Sequence, residues 1–493
     1  MSDSWPVAER IGRSDADPRP LSETKRTLAA HFDRLAAAGR PWRKNRHYYA
    51  ELTRFVRSNV PEGGTVLEIG CGDGSLLAAL QPSHGVGVDL SAGMLALARH
   101  QYPEFEFAVG DAEELPIDRT FTHVVLADLI GYLEDVQAAF DRLHQVASPE
   151  TRIVITHVNH LWEPVLRLAQ RLGLMTPQKR QNWLALGDIE NLLFLSDFEV
   201  IKSGYRLLLP VWIPGVSWMA NRLLAKLPGI RKLCLVQFVI ARARRQPSRA
   251  AAAYTVSVVI PCRNERGNIE SAVVRTPEMG SGTELIFVDG NSTDGTAPEI
   301  ERVAGLYSQQ RRIRLLHQGD GIGKGDAVRK GFAAATGDVL MILDADLTVP
   351  PEDLPKFYDA LATGKGEFIN GTRLVYPMER QAMRTLNLLG NKFFSLAFTW
   401  LLEQRFRDTL CGTKVLFKRD YEKVVANRHY FGDFDPFGDF DLIFGASRLN
   451  LKIVEVPVRY RERTYGTTNI SRFRHGWLLL QMCFVAFRKL KLD

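Results

Sequence analysis

The sequence of 493 residues has few cysteines, no strong excess of charge and no long apolar run. Its five cysteines lie far apart, without a CxxC pair or a zinc-ligand spacing, which favours reduced thiols in a cytoplasmic compartment. The N-terminus has no apolar signal segment, and no apolar run approaches the ~20 residues that span a bilayer. A balance of 63 Lys and Arg against 56 Asp and Glu is too mild to predict nucleic-acid binding.

The length and composition predict a globular protein of more than one domain. Hydrophobic residues make up 45% of the chain, and strand-like apolar runs closed by glycine or polar turns begin two separate halves, near residues 65 and 256. Short β-rich runs alternate with helical stretches in each half, which is typical of an α/β fold with a doubly wound sheet. We expect a disordered N-terminus over 1–20, a first domain over 21–245, a linker over 246–253 and a second domain over 254–493.

A glycine-rich turn follows the first predicted strand. The strand TVLEIG leads into Gly70, Gly72 and Gly74, and a helix follows, which allows close approach of a ligand to the backbone. Asp89 ends the next strand, 19 positions after Gly70, at the spacing at which a carboxylate accepts ribose hydroxyls. Asp111 ends a third strand, where an adenine amino group could be held. The ordered series predicts a nucleotide-type cofactor.

These motifs resemble those of class I S-adenosylmethionine-dependent methyltransferases, with VLEIGCGDG, GVDLSAGML, GDAEELP and FTHVVLADLIGYLED in order over about 60–245. The resemblance implies a Rossmann-like sheet and S-adenosylmethionine as cofactor. It also implies a set of cofactor-binding residues: Glu68, Gly70, Gly72, Gly74, Asp89, Asp111 and Ala112. An NAD-type turn is the alternative, and the Glu-x-Gly order together with GDAEELP disfavours it.

The methyl acceptor is not identified by the sequence. If it is a hydroxyl, the reaction needs a base, and Asp128 and His157 at strand ends are candidates. His157 and His160 are equally compatible with structural or solvent-facing positions. The apolar, proline-interrupted stretch 207–230 either lines the acceptor site or touches lipid.

Acidic strand ends recur in the second half. Asp289 ends the strand ELIFVD, and an apolar strand delivers Asp344 and Asp346 at i and i+2. Two carboxylates at one strand end suit a hard divalent cation that shares its ligands with substrate phosphates. The sequence therefore predicts a Mg²⁺ or Mn²⁺ site for a nucleotide diphosphate.

Residues 254–493 resemble glycosyltransferase family 2 with its GT-A fold, and within it the polyprenyl-phosphate mannose and glucose synthases. The resemblance rests on VVIPCRNE, FVDGNSTDGT, GKGDAVRKGF, LDADL, NGTR, DTLCGTKVLFKRD and RYRERTYGTTNIS. It implies that Asp344 and Asp346 hold the metal and act in catalysis with Arg373. It implies nucleotide-sugar contacts from Pro261, Asn264, Glu265, Asp289, Lys324 and Arg463.

The last of these motifs departs from the group. Arg463, Gly466 and Thr468 follow the group's Arg-x-x-Gly-x-Ser/Thr pattern, but the lysine that usually follows is Asn469 here. One diphosphate contact of the group is therefore in doubt.

Two apolar helices favour a lipid acceptor. In the first, the polar residues recur every four positions and leave a broad apolar face: Asn387, Asn391, Ser395, Thr399 and Glu403. The last helix has an apolar centre over 477–487 between basic ends, which suits the cytoplasmic membrane interface. The alternative is that both helices pack on the sheet, on each other or in a dimer.

The acceptor's chemistry decides the remaining roles. A phosphate monoester is largely ionised at pH 7 and needs cations to hold it, for which Arg373, Lys414 and Arg461 are candidates. A hydroxyl on a cell-surface glycan would instead need a carboxylate base. That base would come from FGDFDPFGDFD, which contributes Asp433, Asp435, Asp439 and Asp441, although these can also be helix caps.

The sequence therefore predicts a bifunctional enzyme. We expect a metal-dependent, inverting transfer of a hexose from a nucleotide-diphosphate sugar to polyprenyl phosphate, fused to a methyltransferase. The alternatives are transfer to a glycan hydroxyl and a first half that only binds its cofactor or acts as a scaffold. A pure interaction protein is disfavoured because both sites look complete.

Overall fold

The computed structural model describes residues 21–38, 45–172, 182–244, 254–321, 323–373, 385–427, 440–458, 461, 463, 465 and 472–492. The chain divides into two compact units, 1–244 and 245–493. The described part of each unit contains one seven-stranded sheet flanked by helices, which confirms the predicted α/β class with two successive sheets. The expected N-terminal segment 1–20 and linker 246–253 lie outside the described residues.

The sheet of the first unit has the order β3-β2-β1-β4-β5-β7-β6, with β7 antiparallel to both of its neighbours. Its strands are β1 (Thr65–Ile69), β2 (His84–Asp89), β3 (Glu106–Val109), β4 (Phe121–Ala127), β5 (Ala147–Val158), β6 (Phe198–Arg206) and β7 (Val236–Ala243). Its helices are α1 (Glu23–Ala37), α2 (Arg46–Asn59), α3 (Ser75–Ala79), α4 (Ala92–Gln101), α5 (Val136–Arg142), α6 (Glu163–Arg171), α7 (Leu186–Leu195) and α8 (Val216–Arg222).

The sheet of the second unit has the order β10-β9-β8-β11-β13-β12-β14, with β13 antiparallel to β11 and β12. Its strands are β8 (Thr255–Cys262), β9 (Gly282–Asp289), β10 (Arg312–His317), β11 (Val339–Ile342), β12 (Phe368–Thr372), β13 (Lys414–Phe417) and β14 (Ile453–Pro457). Its helices are α9 (Ile269–Arg275), α10 (Thr296–Leu306), α11 (Gly323–Ala334), α12 (Leu354–Ala362), α13 (Thr385–Leu402), α14 (Lys418–Ala426), α15 (Phe440–Arg448) and α16 (Arg472–Phe487).

The central strands are apolar on both faces because helices cover both sides of each sheet. In β1, Val66 belongs to one buried cluster while Leu67 and Ile69 belong to another. In β8, Val258 and Val259 divide between two clusters in the same way. Such two-sided burial explains why these strands read as continuous hydrophobic runs. The carboxyl ends of the parallel strands meet at one edge of each sheet, where ligands of open α/β folds bind.

Helices α13 and α16 each present two apolar faces. The side chains of Phe398 and Leu402 on α13, and of Leu479 and Met482 on α16, are buried in one hydrophobic cluster. Phe393 and Leu396 of α13, and Trp477, Leu480 and Phe484 of α16, are exposed. The C-terminal part of the polar stripe predicted along α13 faces the protein: Ser395 and Thr399 donate to the Phe406 carbonyl at 3.0 Å, and Glu403 binds Lys491. Within the described ranges, no helix is long and apolar enough to cross a bilayer.

Candidate active sites

The glycine turn after β1 has the backbone that close ligand approach requires. Gly70, Gly72 and Gly74 have φ angles of 75°, 54° and 75°, in the left-handed region that favours glycine. A Cβ on Gly70 would lie 2.8 Å from a methyl carbon of Leu129, so this position also has no room for a side chain. The turn ends at Gly74, and α3 begins at the next residue.

Asp89 fixes this turn from the end of β2. Its Oδ2 accepts a hydrogen bond from the Gly72 N–H at 2.9 Å, and its Oδ1 accepts one from the Ser91 N–H at 2.8 Å. Burial raises the pKa of Asp89, although these backbone bonds oppose the rise. The Asp89 carboxylate that already orders the turn through these two N–H groups would therefore also be the group that binds a cofactor hydroxyl.

Glu68 lies one residue before the end of β1 and is only 2% exposed. Burial, with the nearby charge of Asp73, raises its pKa well above the ordinary value. Its Oε2 atom is buried and has no hydrogen-bond partner in the described part of the chain. Such an orphaned oxygen next to the glycine turn fits a residue that completes its hydrogen bonding with a ligand.

Asp111 is bound by a lysine that the sequence analysis did not single out. Lys25 on α1 places Nζ 2.6 Å from Asp111 Oδ2 and 2.8 Å from Glu113 Oε2. Lys25 itself is only 9% exposed. Burial lowers the pKa of Lys25, but the two carboxylates raise it overall. Ala112 is buried beside this pair. No local motif marks Lys25, because it is 86 positions from Asp111.

Asp128 follows β4 with a left-handed backbone (φ 53°) that is rare for a non-glycine residue. The Tyr48 hydroxyl donates to Asp128 Oδ2 at 2.5 Å, whereas Asp128 Oδ1 is buried without a partner among the described residues. Burial raises the pKa of Asp128 to about 6, against opposing hydrogen bonds from Tyr48 and Thr156. A strained, incompletely bonded carboxylate at the carboxyl edge of the sheet has the features of a functional group.

His157 and His160 differ from Asp128 in their burial and hydrogen bonding. His157 is 2% exposed, its Nε2 lies 3.1 Å from the Asn182 carbonyl, and burial lowers its pKa to about 4. His160 begins a short helical turn after β5 and is half-buried, with Nδ1 unpartnered among the described residues. His157 therefore remains neutral at pH 7 and is held by the backbone, which fits the structural alternative better than a proton acceptor.

In the second unit, the segment after β8 is tied to the segment after β9. Asn264 has φ 56°, its Oδ1 accepts from the Thr293 N–H at 2.8 Å, and its N–H donates to Ser292 Oγ. Pro261 pairs with Val288 within the sheet. Asp289 is 4% exposed, and its Oδ1 has no partner in the described part of the chain.

Asp344 and Asp346 follow β11, and each is matched by a cation from another element. Lys324 Nζ of α11 lies 2.6 Å from Asp344 Oδ1, and Arg463 Nη2 lies 2.6 Å from Asp346 Oδ2. Burial tends to raise the pKa of Asp344, but Lys324, Lys414 and Arg373 lower it overall. The two carboxylates thus lie in a strongly cationic setting.

Three further residues, Glu265, Thr348 and Gly412, lie around the two carboxylates and their cations. Arg463 Nη1 also lies 3.6 Å from Glu265 Oε1, and burial raises the pKa of Glu265. Thr348 donates its N–H and hydroxyl to Asp346 Oδ1 at 3.1 and 2.8 Å. A Cβ on Gly412 would lie 2.0 Å from Asp344 Oδ2 and 2.5 Å from Lys324 Nζ. Gly412 therefore keeps the Lys324–Asp344 pair accessible to close approach.

The three predicted acceptor cations lie in different environments. Arg373 forms a bidentate ion pair with Asp408, with Nε–Oδ2 at 2.7 Å and Nη2–Oδ1 at 2.8 Å. Lys414 is fully buried and donates to the Cys411 carbonyl at 2.6 Å. Arg461 is exposed, and its N–H donates to the Thr348 carbonyl. Arg461 is therefore the most accessible of the three.

The acidic segment predicted for a hydroxyl acceptor is only partly described. Asp441 lies in the first turn of α15 and is half-buried. Asp433, Asp435 and Asp439 lie outside the described residues, as do Gly466, Thr468 and Asn469.

The fold and the two strand-edge sites define a pair of ligand-binding α/β domains. Residues 42–203 match the family model described as "Methyltransferase domain", and residues 257–425 match "Glycosyl transferase family 2". The chain therefore consists of a methyltransferase domain followed by a family 2 glycosyltransferase domain, which confirms the predicted fusion.

Three similar proteins illustrate the comparison. The dolichol-phosphate mannosyltransferase of Saccharomyces cerevisiae is 40% identical over 110 residues, which is 21% of this chain and 40% of that protein. Glycosyltransferase AglD of Haloferax volcanii is 27% identical over 240 residues, or 47% of this chain and 36% of that one. The chain thus covers well under half of either relative. A solved SAM-dependent methyltransferase of Thermotoga maritima is 18% identical, with 44% of this chain and 100% of that one covered and a TM-score of 0.36.

Proposed function

We propose that the glycosyltransferase domain moves a hexose from a nucleotide-diphosphate sugar to polyprenyl phosphate, with inversion at the anomeric carbon. The observation that carries the proposal is the carboxylate pair after β11, Asp344 and Asp346, matched by Lys324 and Arg463. Cations around two carboxylates at a strand edge suit a metal-bound diphosphate better than a neutral ligand. The 40% identity to a dolichol-phosphate mannosyltransferase over 110 residues supports the same donor and acceptor classes.

A divalent cation fits these residues. Carboxylate oxygens are the ligands that Mg²⁺ and Mn²⁺ prefer, and Asp346 and Asp344 would hold the ion. In the described part of the chain, no three His, Cys, Asp or Glu side chains are grouped to hold a metal. Mg²⁺ and Mn²⁺ commonly share their ligands with substrate phosphates, so diphosphate oxygens would complete the set, and the ion would neutralise the charge of the leaving nucleotide.

The chain's own residues would orient the donor. Asp289 Oδ1 lacks a partner among the described residues and ends β9, so it is suited to accept a hydrogen bond from the base or ribose. Asn264 and Glu265, after β8, would flank the nucleotide, and Lys324 would contact a phosphate. These roles follow from position and chemistry at one sheet edge.

The lipid acceptor is supported by the exposed faces of α13 and α16. Trp477 and Phe484 are 63% and 68% exposed and lie two turns apart on one face of α16, while the opposite face is buried. An exposed apolar face on a packed helix suits the membrane interface. A phosphate acceptor would need cations to hold it, and Arg461 is exposed near Thr348. The runner-up, a glycan hydroxyl, would use Asp439 or Asp441 as base.

For the methyltransferase domain we propose S-adenosylmethionine as the cofactor, in contact with Glu68, Asp89 and Asp111. Asp128 is our candidate base for a hydroxyl acceptor, because its Oδ1 is unpartnered in the described structure and Tyr48 fixes its other oxygen. Calorimetric titration with S-adenosylmethionine tests the cofactor. Cofactor consumption with lipid extract distinguishes a working enzyme from a binding or scaffolding module.

The sugar transfer is tested with purified protein, labelled UDP-glucose or GDP-mannose, and undecaprenyl phosphate in detergent. We expect a hexosyl-phosphate lipid that disappears with EDTA or with Asp346→Asn. Leu306→Ala, an exposed substitution at the end of α10, is the matched control and should leave the product unchanged. Metal-independent transfer, or full activity of Asp346→Asn, would contradict the proposed site.

A further inference from the structure

We propose that the methyltransferase domain carries its own docking surface for an anionic lipid bilayer. The surface, named here the tryptophan surface, consists of the exposed apolar residues of the segment 161–172, which contains α6, and of the segment 211–233. Its members include Leu168, Trp212, Trp218, Met219, Leu227 and Leu233. It belongs to the first unit, whereas α13 and α16 belong to the second, and the proposal does not rest on the proposed sugar transfer.

Helix α6 exposes its apolar stripe. Leu161, Val165, Leu168 and Leu172 recur at intervals of four, three and four, which places them on one helical face. All four are more than half exposed, and no residue of α6 is buried. A surface helix of a globular protein normally turns such a stripe towards the core. Here the apolar stripe is exposed to solvent.

Helix α8 also reverses the usual pattern of burial, with small or polar side chains inside and large apolar side chains outside. It buries Ser217, Ala220 and Asn221, which are small or polar, and exposes Trp218 and Met219, which are large and apolar. Leaving a tryptophan and a methionine in water forgoes the free energy of burying them, unless another surface covers the outer face. The outer face of α8 is therefore the face that another surface covers in the working protein.

The buried polar side chains hold this arrangement in place. Asn221 Oδ1 accepts from the Leu209 N–H at 2.8 Å, and its Nδ2 donates to the Leu209 carbonyl at 2.9 Å. Ser217 Oγ accepts from the Ile213 N–H and donates to the Val211 carbonyl. These bonds fix the loop that carries Trp212, so its exposure follows from the fold.

The two segments form one surface because hydrogen bonds join them. Trp162 Nε1, at the start of α6, donates to the Leu233 carbonyl at 2.8 Å. Asn159 Nδ2 donates to the carbonyls of Lys232 and Cys234 at 3.0 and 2.8 Å. The apolar stripe of α6 and the segment that ends at Leu233 are thus neighbours.

Charge identifies the occupant as anionic. Residues 207–235 contain four basic residues and no acidic residue; Lys226 is buried, whereas Arg222, Arg231 and Lys232 are at least partly exposed. Helix α6 adds Arg167 and Arg171 against Glu163. Exposed tryptophan among apolar residues with a basic border is the composition of an interfacial membrane surface. A second copy of the chain would bring the same positive charge to a shared interface, so electrostatics disfavours a dimer. An anionic headgroup layer is complementary to it.

The test is binding of the full-length protein to vesicles of phosphatidylglycerol mixed with phosphatidylcholine, measured by co-sedimentation. To remove the contribution of α16, the comparison uses the background Trp477→Ala/Phe484→Ala. In that background, Trp212→Ala/Trp218→Ala should weaken binding at least tenfold. The control Leu195→Ala/Leu306→Ala removes two similarly exposed apolar residues elsewhere and should leave binding unchanged.

A second pair of variants tests the charge separately. Arg231→Gln/Lys232→Gln should weaken binding by about fivefold per charge removed, and only to the anionic vesicles. Circular dichroism and thermal unfolding establish that each variant is folded. Unchanged binding of the tryptophan variant would overturn the proposal. So would a dimer in sedimentation analysis that the tryptophan variant dissociates, since a second copy would then be the occupant.

Discussion

Arg463 and Asp346 lie 117 positions apart in the sequence, and their side chains form an ion pair with Nη2–Oδ2 at 2.6 Å. The same guanidinium lies 3.6 Å from Glu265. A residue from the last part of the chain thus matches the charge of a carboxylate that we assign to the metal. The pair links the segments after β8 and β11 before any ligand binds.

Removing Arg463 should therefore separate metal binding from nucleotide binding. In Arg463→Gln, Asp346 loses a competing cation, so we expect Mn²⁺ alone to bind several-fold more tightly. The nucleotide diphosphate should bind at least tenfold more weakly, because one charge-assisted contact is lost. Calorimetric titration of Mn²⁺ with and without UDP or GDP measures both effects. Equal weakening of both would show that Arg463 is a purely structural residue.

Gly412 provides a test of access to the site. A Cβ at this position would lie 2.0 Å from Asp344 Oδ2, so Gly412→Ala should displace the Asp344 carboxylate and lower kcat for sugar transfer at least a hundredfold. Gly305→Ala is the matched control, because a Cβ there meets no atom within 4 Å. Thermal unfolding of both variants reports any loss of fold. Wild-type activity of folded Gly412→Ala would contradict the placement of the site.

The Arg373–Asp408 pair predicts a large effect on stability. Burial tends to raise the pKa of Asp408, but Arg373 and backbone N–H groups lower it overall. Its contribution to stability is thus present above the unfolded-state pKa of about 4 and is lost as the pH falls through the folded-state value. Asp408→Asn should lower the free energy of unfolding of the second domain by about 3 kcal/mol at pH 7.

The matched control for this pair is exposed. Arg302 and Glu270 form an ion pair whose side chains are 51% and 44% exposed, and Glu270→Gln should cost only a small fraction of what Asp408→Asn costs. Urea unfolding that resolves the two domains gives both values. Equal effects of the two substitutions would show that burial does not strengthen the Arg373–Asp408 pair.

Asp128 should make the first domain less stable as the pH rises. Its folded-state pKa of about 6 lies above the unfolded value of about 4, so folding favours the protonated form. Its stability contribution is complete below pH 4 and is lost as the pH rises through 6. Asp128→Asn should therefore gain about 2 to 3 kcal/mol relative to the parent between pH 4 and pH 7. Urea unfolding across this range measures the difference, and a difference independent of pH would contradict the assigned pKa.

Lys25 should couple helix α1 to the cofactor. Its Nζ binds Asp111 and Glu113, so Lys25→Met leaves two carboxylates without their cation. We expect at least tenfold weaker binding of S-adenosylmethionine, measured by calorimetry. Lys356→Met, which removes an exposed lysine from the other domain, is the control. Unchanged cofactor affinity of Lys25→Met would remove Asp111 from the proposed cofactor site.

Local motifs in the sequence predict much of both sites because glycine turns and acidic strand ends are encoded within a few residues. The turn at Gly70 with Asp89, and the pair Asp344 and Asp346, lie where parallel strands end. Periodicity also predicts α13 and α16, since apolar residues at helical spacing require a buried or covered face.

The partners of these residues could not be predicted in the same way. Lys25, Tyr48 and Arg463 act on carboxylates that are 80 or more positions away, and only the fold brings them together. The sequence also could not predict whether a given helix face meets water or protein, because the side chains of Ser395 and Thr399 are compatible with either. In the structure both hydroxyls bind the Phe406 carbonyl.

The most direct test of the central claim compares two lipid acceptors that differ only in the phosphate. Purified protein with Mn²⁺ and each donor sugar is incubated with undecaprenyl phosphate or with undecaprenol, and the lipids are analysed by mass spectrometry. We predict a hexosyl-phosphate product from undecaprenyl phosphate and none from undecaprenol. Transfer to the alcohol, or transfer to a glycan hydroxyl with no lipid-phosphate product, would contradict the proposed function.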